Sequence, residues 1–220
     1  HARRHLISEG LSHRFIYVTG SPMLEVLNSK KSQIEASNIL ENLGLEPQKY
    51  FIVSVHREEN VDNPDSLKKV VDCLNALHDK YSYPVVVSTH PRTKNRLETL
   101  NLDTNSRDIR FLKPFGFFDY NKLQKEAFCA ISDSGTIAEE SAMLDFPAVT
   151  IRQSIERPEA LDAGSIILTG LDPDIVISAV DLVVKEDDLY PNREIPAEYK
   201  VENTSLRVLK LILGTAKLTN

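Results

Sequence analysis

Cysteine is scarce in this chain: Cys73 and Cys129 are the only two among 220 residues, and both sit in apolar-patterned segments. That excludes a disulfide scaffold and points to a reducing compartment, so a cytoplasmic location is expected. No Cys/His set has metal-ligand spacing, and no metal is expected. Neither a Walker sequence nor Gly-x-Ser-x-Gly is present. No pair of carboxylates stands out as an acid/base couple. No apolar run is long enough to span a membrane, and no signal peptide is visible, so no membrane partner is expected. Basic excess is also missing. The net charge is −6 with no basic stripe, which makes nucleic acid an unsuitable partner. Any anion binding must come from local geometry.

What is there is ordinary globular material, 41% hydrophobic, with no internal repeat and no low-complexity segment. Short apolar runs alternate with helical patterns, the signature of βα units on a parallel sheet. Strands are expected at Phe15–Thr19, Phe51–His56, Val85–His90, Ile109–Leu112, Phe128–Ser132, Ala148–Ile151 and Ile166–Thr169. Several are near-continuous runs, as strands covered on both faces should be. Helices are expected at Gln33–Leu43, from Asn63-Pro64 through Leu77, and at Lys94–Leu100, Tyr120–Ala127, Thr136–Leu144 and Pro173–Val184. Glu186–Asn203 reads as an extended connection, and Thr204–Ala216 as a last amphipathic helix. His1–Gly10 reads as the end of an incoming helix, so the chain is expected to be a piece of a longer protein. The fold class is α/β, one doubly wound, Rossmann-like parallel sheet over residues 1–220. Such sheets bind ligands at the carboxyl ends of their strands.

The candidate residues fall at those ends. After Phe128-Cys129-Ala130-Ile131 comes Ser132-Asp133-Ser134-Gly135-Thr136, then a helix. A strand, a Gly turn and a helix start present free N–H groups and the positive end of the helix dipole, which suits phosphate. Glu140 lies deeper than a cap. Beside a phosphate, a carboxylate needs an uncharged partner such as ribose hydroxyls, so a nucleoside diphosphate is the expected ligand. His56 can donate to a phosphate and Arg57 can contact one in bidentate fashion. His90 repeats the position of His56 one strand later. Arg92 opens the next helix against its dipole, which an anionic ligand or a nearby carboxylate would explain. Arg157 follows Ala148–Ile151 and could serve a phosphate or merely pair with Glu156 or Glu159. Phe117-Phe118-Asp119-Tyr120 could pack a base or staple a helix.

Together, His56-Arg57-x-Glu59-Asn60, Asp133-Ser134-Gly135-x-Ile137-x-Glu139-Glu140 and Glu156-Arg157-Pro158-Glu159-Ala160, with Val18-Thr19-Gly20 before a helix, resemble the non-hydrolysing UDP-N-acetylglucosamine 2-epimerase family. The resemblance implies the second, nucleotide-binding domain of a GT-B arrangement, with UDP-sugar as partner and no cofactor. The first domain, which supplies the catalytic carboxylates, has no counterpart here. A full-length homodimer is implied, and an inactive isolated chain. By the family pattern His56 is catalytic, helping UDP to leave. Ser134 and Gly135 hold the diphosphate, Glu140 the ribose, and Arg157 the sugar-phosphate region. Arg57 and His90 are further substrate contacts, and Tyr120 stands near the uracil. His90-Pro91-Arg92-Thr93 and the Arg152–Glu159 stretch resemble the branch forming UDP-N-acetyl-L-fucosamine for capsule or O-antigen. A GT-B glycosyltransferase domain and a non-catalytic UDP-binding module are the rival readings.

Overall fold

The computed structural model describes residues 1–100, 108–154, 157–189 and 195–217. In chain order the elements are α1 (Ala2–Ser8), a 3-10 turn (His13–Phe15), α2 (Met23–Glu35), α3 (Ile39–Leu43), β1 (Phe51–Ser54), α4 (Glu58–Val61), α5 (Pro64–Tyr81), β2 (Val85–Ser88), α6 (Pro91–Thr99), β3 (Ile109–Leu112), α7 (Phe117–Lys125), β4 (Cys129–Ser132), α8 (Ile137–Leu144), β5 (Ala148–Thr150), α9 (Glu159–Asp162), β6 (Ile167–Leu168), α10 (Pro173–Leu189), a second 3-10 turn (Ala197–Tyr199) and α11 (Thr204–Thr215). The strands form one sheet in the order β3-β2-β1-β4-β5-β6, every pair parallel. This is the doubly wound Rossmann-like arrangement expected from the alternating pattern. The order reverses between β1 and β4, where Ser54 stands in register with Ser132. The crevice of such a sheet opens there, past the carboxyl ends.

Alternate strand residues feed two cores. Phe51, Val53, Val85, Val87, Cys129, Ile131 and Val149 pack under α5 and α10. On the other face Ile52, Val86, Ala130 and Ala148 meet Leu123 of α7, Ala127 just beyond that helix, and Ile137, Ala138 and Ala142 from α8. Both faces are therefore apolar, which is why the strands read as runs and not as alternation. Asn63 caps α5 as its sequence promises: its side chain accepts from the N–H groups of Asp65 and Ser66, with Pro64 in the first turn.

Three expectations fail. Phe15–Thr19 is no strand. Phe15, Tyr17 and Val18 are more than half exposed, and the segment joins no strand of the sheet among the described residues. Apolar content marks a strand candidate, but a strand needs a neighbour. This segment finds the C-terminal region instead: Thr204 Oγ1 donates to Thr19 O and Ser21 O, and Ser21 N donates to Glu198 O. Gln33–Leu43 is not one helix. α2 begins earlier and stops at Glu35, because Ser37 accepts from Ile39 N to start α3 and donates to Asp119 of α7 at 2.6 Å. Glu186–Asn203 is not all extended, since Glu186–Leu189 completes α10 and Ala197–Tyr199 forms a turn, while residues 190–194 lie outside the described ones.

Gly20 fixes the closeness of these two segments. Its φ is +88°, and a Cβ there would sit 2.5 Å from Val201 Cγ2. Gly20→Ala adds left-handed strain to a clash with a packed side chain. The expected loss is about 2–4 kcal/mol in urea denaturation, partly recovered by Gly20→Ala/Val201→Gly, which removes the Cβ and both methyls of the clash and leaves the strain. An unchanged midpoint for Gly20→Ala would contradict the packing described.

Candidate functional site

The site is assembled where β1 and β4 end. β1 stops at Ser54, so His56 lies just beyond the strand, in the loop before α4. Asp133 follows β4 directly and is completely buried. Its carboxylate accepts from His56 N at 3.1 Å, Arg57 N at 2.9 Å and Asn60 Nδ2 at 3.0 Å. His56 Nδ1 lies 3.3 Å from Asp133 Oδ1, while half of the ring surface stays open. Arg57 Nε donates to Asp133 O at 2.9 Å. Asp133 thus bolts the loop after β1 to the loop after β4. Its position after a buried strand was the available sequence signal, but a carboxylate there looks like any turn residue. Asn60, buried as well, stood in the motif quoted above without a role of its own.

The loop then runs into α8. Ser132 Oγ accepts from Ser134 N, and Ser134 Oγ lies 3.0 Å from Thr136 Oγ1. The N–H groups of Gly135, Ile137 and Ala138 have no acceptor among the described residues. They stand at the N-terminal end of α8, where partial positive charge gathers. The strand, turn and helix start that the sequence led one to expect around Ser134 and Gly135 are therefore in place.

Glu140 lies one turn inside α8 and is only partly exposed. Burial pushes its carboxyl above the ordinary range. Gln124 Nε2, at 2.6 Å from Oε2, and the Thr136 hydroxyl oppose that rise, as does Arg157, while Glu139 adds to it. Tyr120 turns its hydroxyl to Ser54 and Ser132 at the strand ends, and burial, with Glu140 nearby, pushes the phenol far up. Arg157 pairs with the nearly buried Glu139 of α8; its expected structural partners were Glu159 and Glu156, the latter outside the described residues.

His90 stands apart from this cluster. It lies beyond the end of β2, and its Nδ1 accepts from Arg92 N to cap α6. Arg92 is explained by carboxylates: it bonds Glu58 and Asp62 in the segment after β1. An anionic ligand is not needed to account for it. A cavity of about 1210 Å³ opens beside the cluster and reaches it at Thr136, Glu139 and Arg157, with Tyr17, Gly20 and Tyr199 also in its wall. Among the described residues no group of His, Cys, Asp and Glu is arranged to hold a metal ion. No described helix is long and apolar enough to cross a membrane.

The comparisons with known proteins agree with the fold. The family model for UDP-N-acetylglucosamine 2-epimerase matches residues 1–213. The chain belongs to the UDP-N-acetylglucosamine 2-epimerase family. The 2-epimerase of Methanococcus maripaludis is 30% identical, with 98% of this chain and 59% of that protein aligned. The structure of the 2-epimerase from Rickettsia bellii is 40% identical with a TM-score of 0.87, over 97% of this chain and 57% of that one. That of Methanocaldococcus jannaschii, in complex with UDP-GlcNAc and UDP, is 28% identical with the same TM-score and coverage of 97% and 59%. This chain therefore spans 57–59% of the length of these three proteins. The wall teichoic acid polymerase TagF, at 15% identity and a TM-score of 0.51, shares the fold alone.

Glu140 makes the stability of this epimerase-family chain depend on pH. A carboxyl whose folded pKa is raised above its ordinary 4.5 holds more protons in the native state than in the unfolded one. Stability then falls as pH rises through that window. Glu140→Gln should flatten the fall and be the more stable form above it, measured by urea denaturation across pH 4 to 8. Parallel curves for the two proteins would contradict the raised pKa.

Proposed function

We propose that this chain is the UDP-binding half of a UDP-N-acetylhexosamine 2-epimerase. The observation that carries the reading is one juxtaposition. The donor-bearing start of α8 faces the loop that Asp133 holds, and a desolvated carboxylate lies one turn further in. Free N–H groups suit a diphosphate. Glu140 would repel that diphosphate unless it meets hydroxyls, and ribose supplies them.

The residues take their roles accordingly. Ser134 and Gly135 hold the diphosphate. Glu140 accepts from the ribose hydroxyls. Arg157, kept in place by Glu139, serves the sugar-phosphate side. Tyr120 has its hydroxyl committed to the strand ends, so only its ring is left for the uracil. Arg57 uses its backbone and Nε on Asp133, which makes it first a brace for the loop. His90 faces the same side of the sheet from the next loop.

In the reaction a base takes the C2 proton of the sugar. That electron pair forms a C1–C2 double bond as the C1–oxygen bond breaks, and UDP leaves with the bonding pair. UDP adds back to the glycal, and a proton returns to the other face of C2. His56 would donate to the diphosphate as negative charge gathers on it, an interaction stronger in the transition state than in the ground state. The base belongs to the part of the enzyme beyond this chain.

The sugar itself is set largely there too. A Pseudomonas aeruginosa relative, 30% identical over 62% of this chain, is a UDP-2,3-diacetamido-2,3-dideoxy-D-glucuronate 2-epimerase. Family membership alone therefore leaves the hexosamine open. The His90–Thr93 and Arg152–Glu159 stretches favour the 6-deoxy branch of surface-polysaccharide precursor synthesis, in the cytoplasm.

The chain should bind UDP in calorimetry and give no epimerised product when incubated with UDP-N-acetylglucosamine, followed by proton NMR. Adding the remaining part of a full-length homologue should restore turnover without any acceptor. Turnover by this chain alone would contradict the division of labour. A requirement for an acceptor would favour a glycosyltransferase.

A further inference from the structure

α7 contributes a second polar residue that the reading above does not use. Tyr120 and Gln124 lie one turn apart on α7 and point toward Glu140. Gln124 is 1% exposed. Its Nε2 donates to Glu140 Oε2 at 2.6 Å, and its Oε1 has no hydrogen-bond partner. Burying a primary amide costs free energy unless its groups are bonded. Here the bond to Glu140 is the one compensation among the described residues. A glutamine kept for packing alone would be better replaced by an apolar side chain. Leu123 of α7 and Ile137 and Ala138 of α8 pack in one core cluster, which holds the two helices together beside the pair.

We propose that Gln124 is a positioning residue for Glu140 in the ribose subsite, its amide fixing one carboxylate oxygen so that the carboxylate is ionised and oriented for the two ribose hydroxyls. The proposal rests on the UDP reading above. The groups facing Glu140 are Glu139 and Thr136 from its own helix and cap, Tyr120 and Gln124 from α7, and Arg157 from the loop after β5. Two of these oppose ionisation by charge or burial, Glu139 and the desolvating contact with α7. Of the groups working the other way, the Gln124 amide acts most strongly.

Gln124→Met keeps the length and approximate volume of the side chain and removes the donor. Two readouts are taken on the same preparation. In the ligand-free chain, the Glu140 carboxyl carbon is titrated by NMR, and its midpoint should move up by about half a pH unit or more, since a hydrogen bond to the charged form favours it. In calorimetry at pH 7, UDP should bind roughly 3- to 10-fold more weakly, while pyrophosphate stays within about twofold because the α8 donors are intact. Raising the pH should recover part of the UDP affinity. Glu140→Ala serves as the reference for complete loss of the ribose contact. Should the Met variant fold poorly, Gln124→Leu also removes the donor, and the Glu140 midpoint should rise likewise.

An unmoved Glu140 midpoint, or UDP and pyrophosphate weakened equally, overturns the positioning role. If Glu140→Ala is selective for UDP and Gln124→Met is not, this proposal alone falls. If the unmodified chain binds neither UDP nor pyrophosphate, the nucleotide reading fails and takes the proposal with it.

Discussion

Asp133 sits at the reversal point of the sheet with no exposed surface, and its carboxylate is the acceptor on which the crevice depends. A buried carboxylate is costly unless its lone pairs are met. Here two backbone N–H groups and the Asn60 amide meet them, with the His56 ring alongside. All of these partners come from the loop after β1, more than 70 residues earlier in the chain. The bond network therefore does two jobs. It joins the loops after β1 and β4 into one rigid floor, and it holds the His56 backbone while leaving half of the ring surface open. The Arg57 side chain completes the brace from the other side through the Asp133 carbonyl.

Under the proposed reading, this floor is what lets an acidic chain hold an anion. Global charge is unfavourable, at −6. Nearby carboxylates are each answered by something local: Glu139 by Arg157, Glu58 and Asp62 by Arg92, and Glu140 by Gln124. What is left unanswered at the start of α8, among the described residues, is the set of N–H groups of Gly135, Ile137 and Ala138. The field a ligand meets is set within a few ångströms, where helix-end donors dominate and distant charge is screened.

Much of this was legible in the sequence, for identifiable reasons. β1, β2 and β4 are apolar runs because both faces of the sheet are covered, and Asn63-Pro64 marks a helix start through local chemistry alone. Ser134, Gly135 and Glu140 were readable because strand, turn and helix follow one another without interruption. The rest depended on contacts distant in sequence. Ser37 looks like an ordinary helix residue until its hydroxyl meets Asp119. Phe15–Thr19 has the composition of a strand but no strand beside it. Gln124 resembles a solvent-facing helix residue, and only the packing of α7 against α8 shows that it is buried on Glu140. Asp133 was part of the recognised motif, yet its four contacts run to residues whose proximity requires the finished sheet.

The most direct measurement is a titration of the isotope-labelled chain with UDP, followed through its backbone amide resonances. The account predicts that the largest shifts fall on Gly135 through Ala138 and on the His56–Arg57 segment, with Glu140 and Gln124 responding to UDP but not to pyrophosphate. Shifts concentrated instead on α11 or on the cavity wall at Tyr17 and Tyr199, with α8 unmoved, would contradict it.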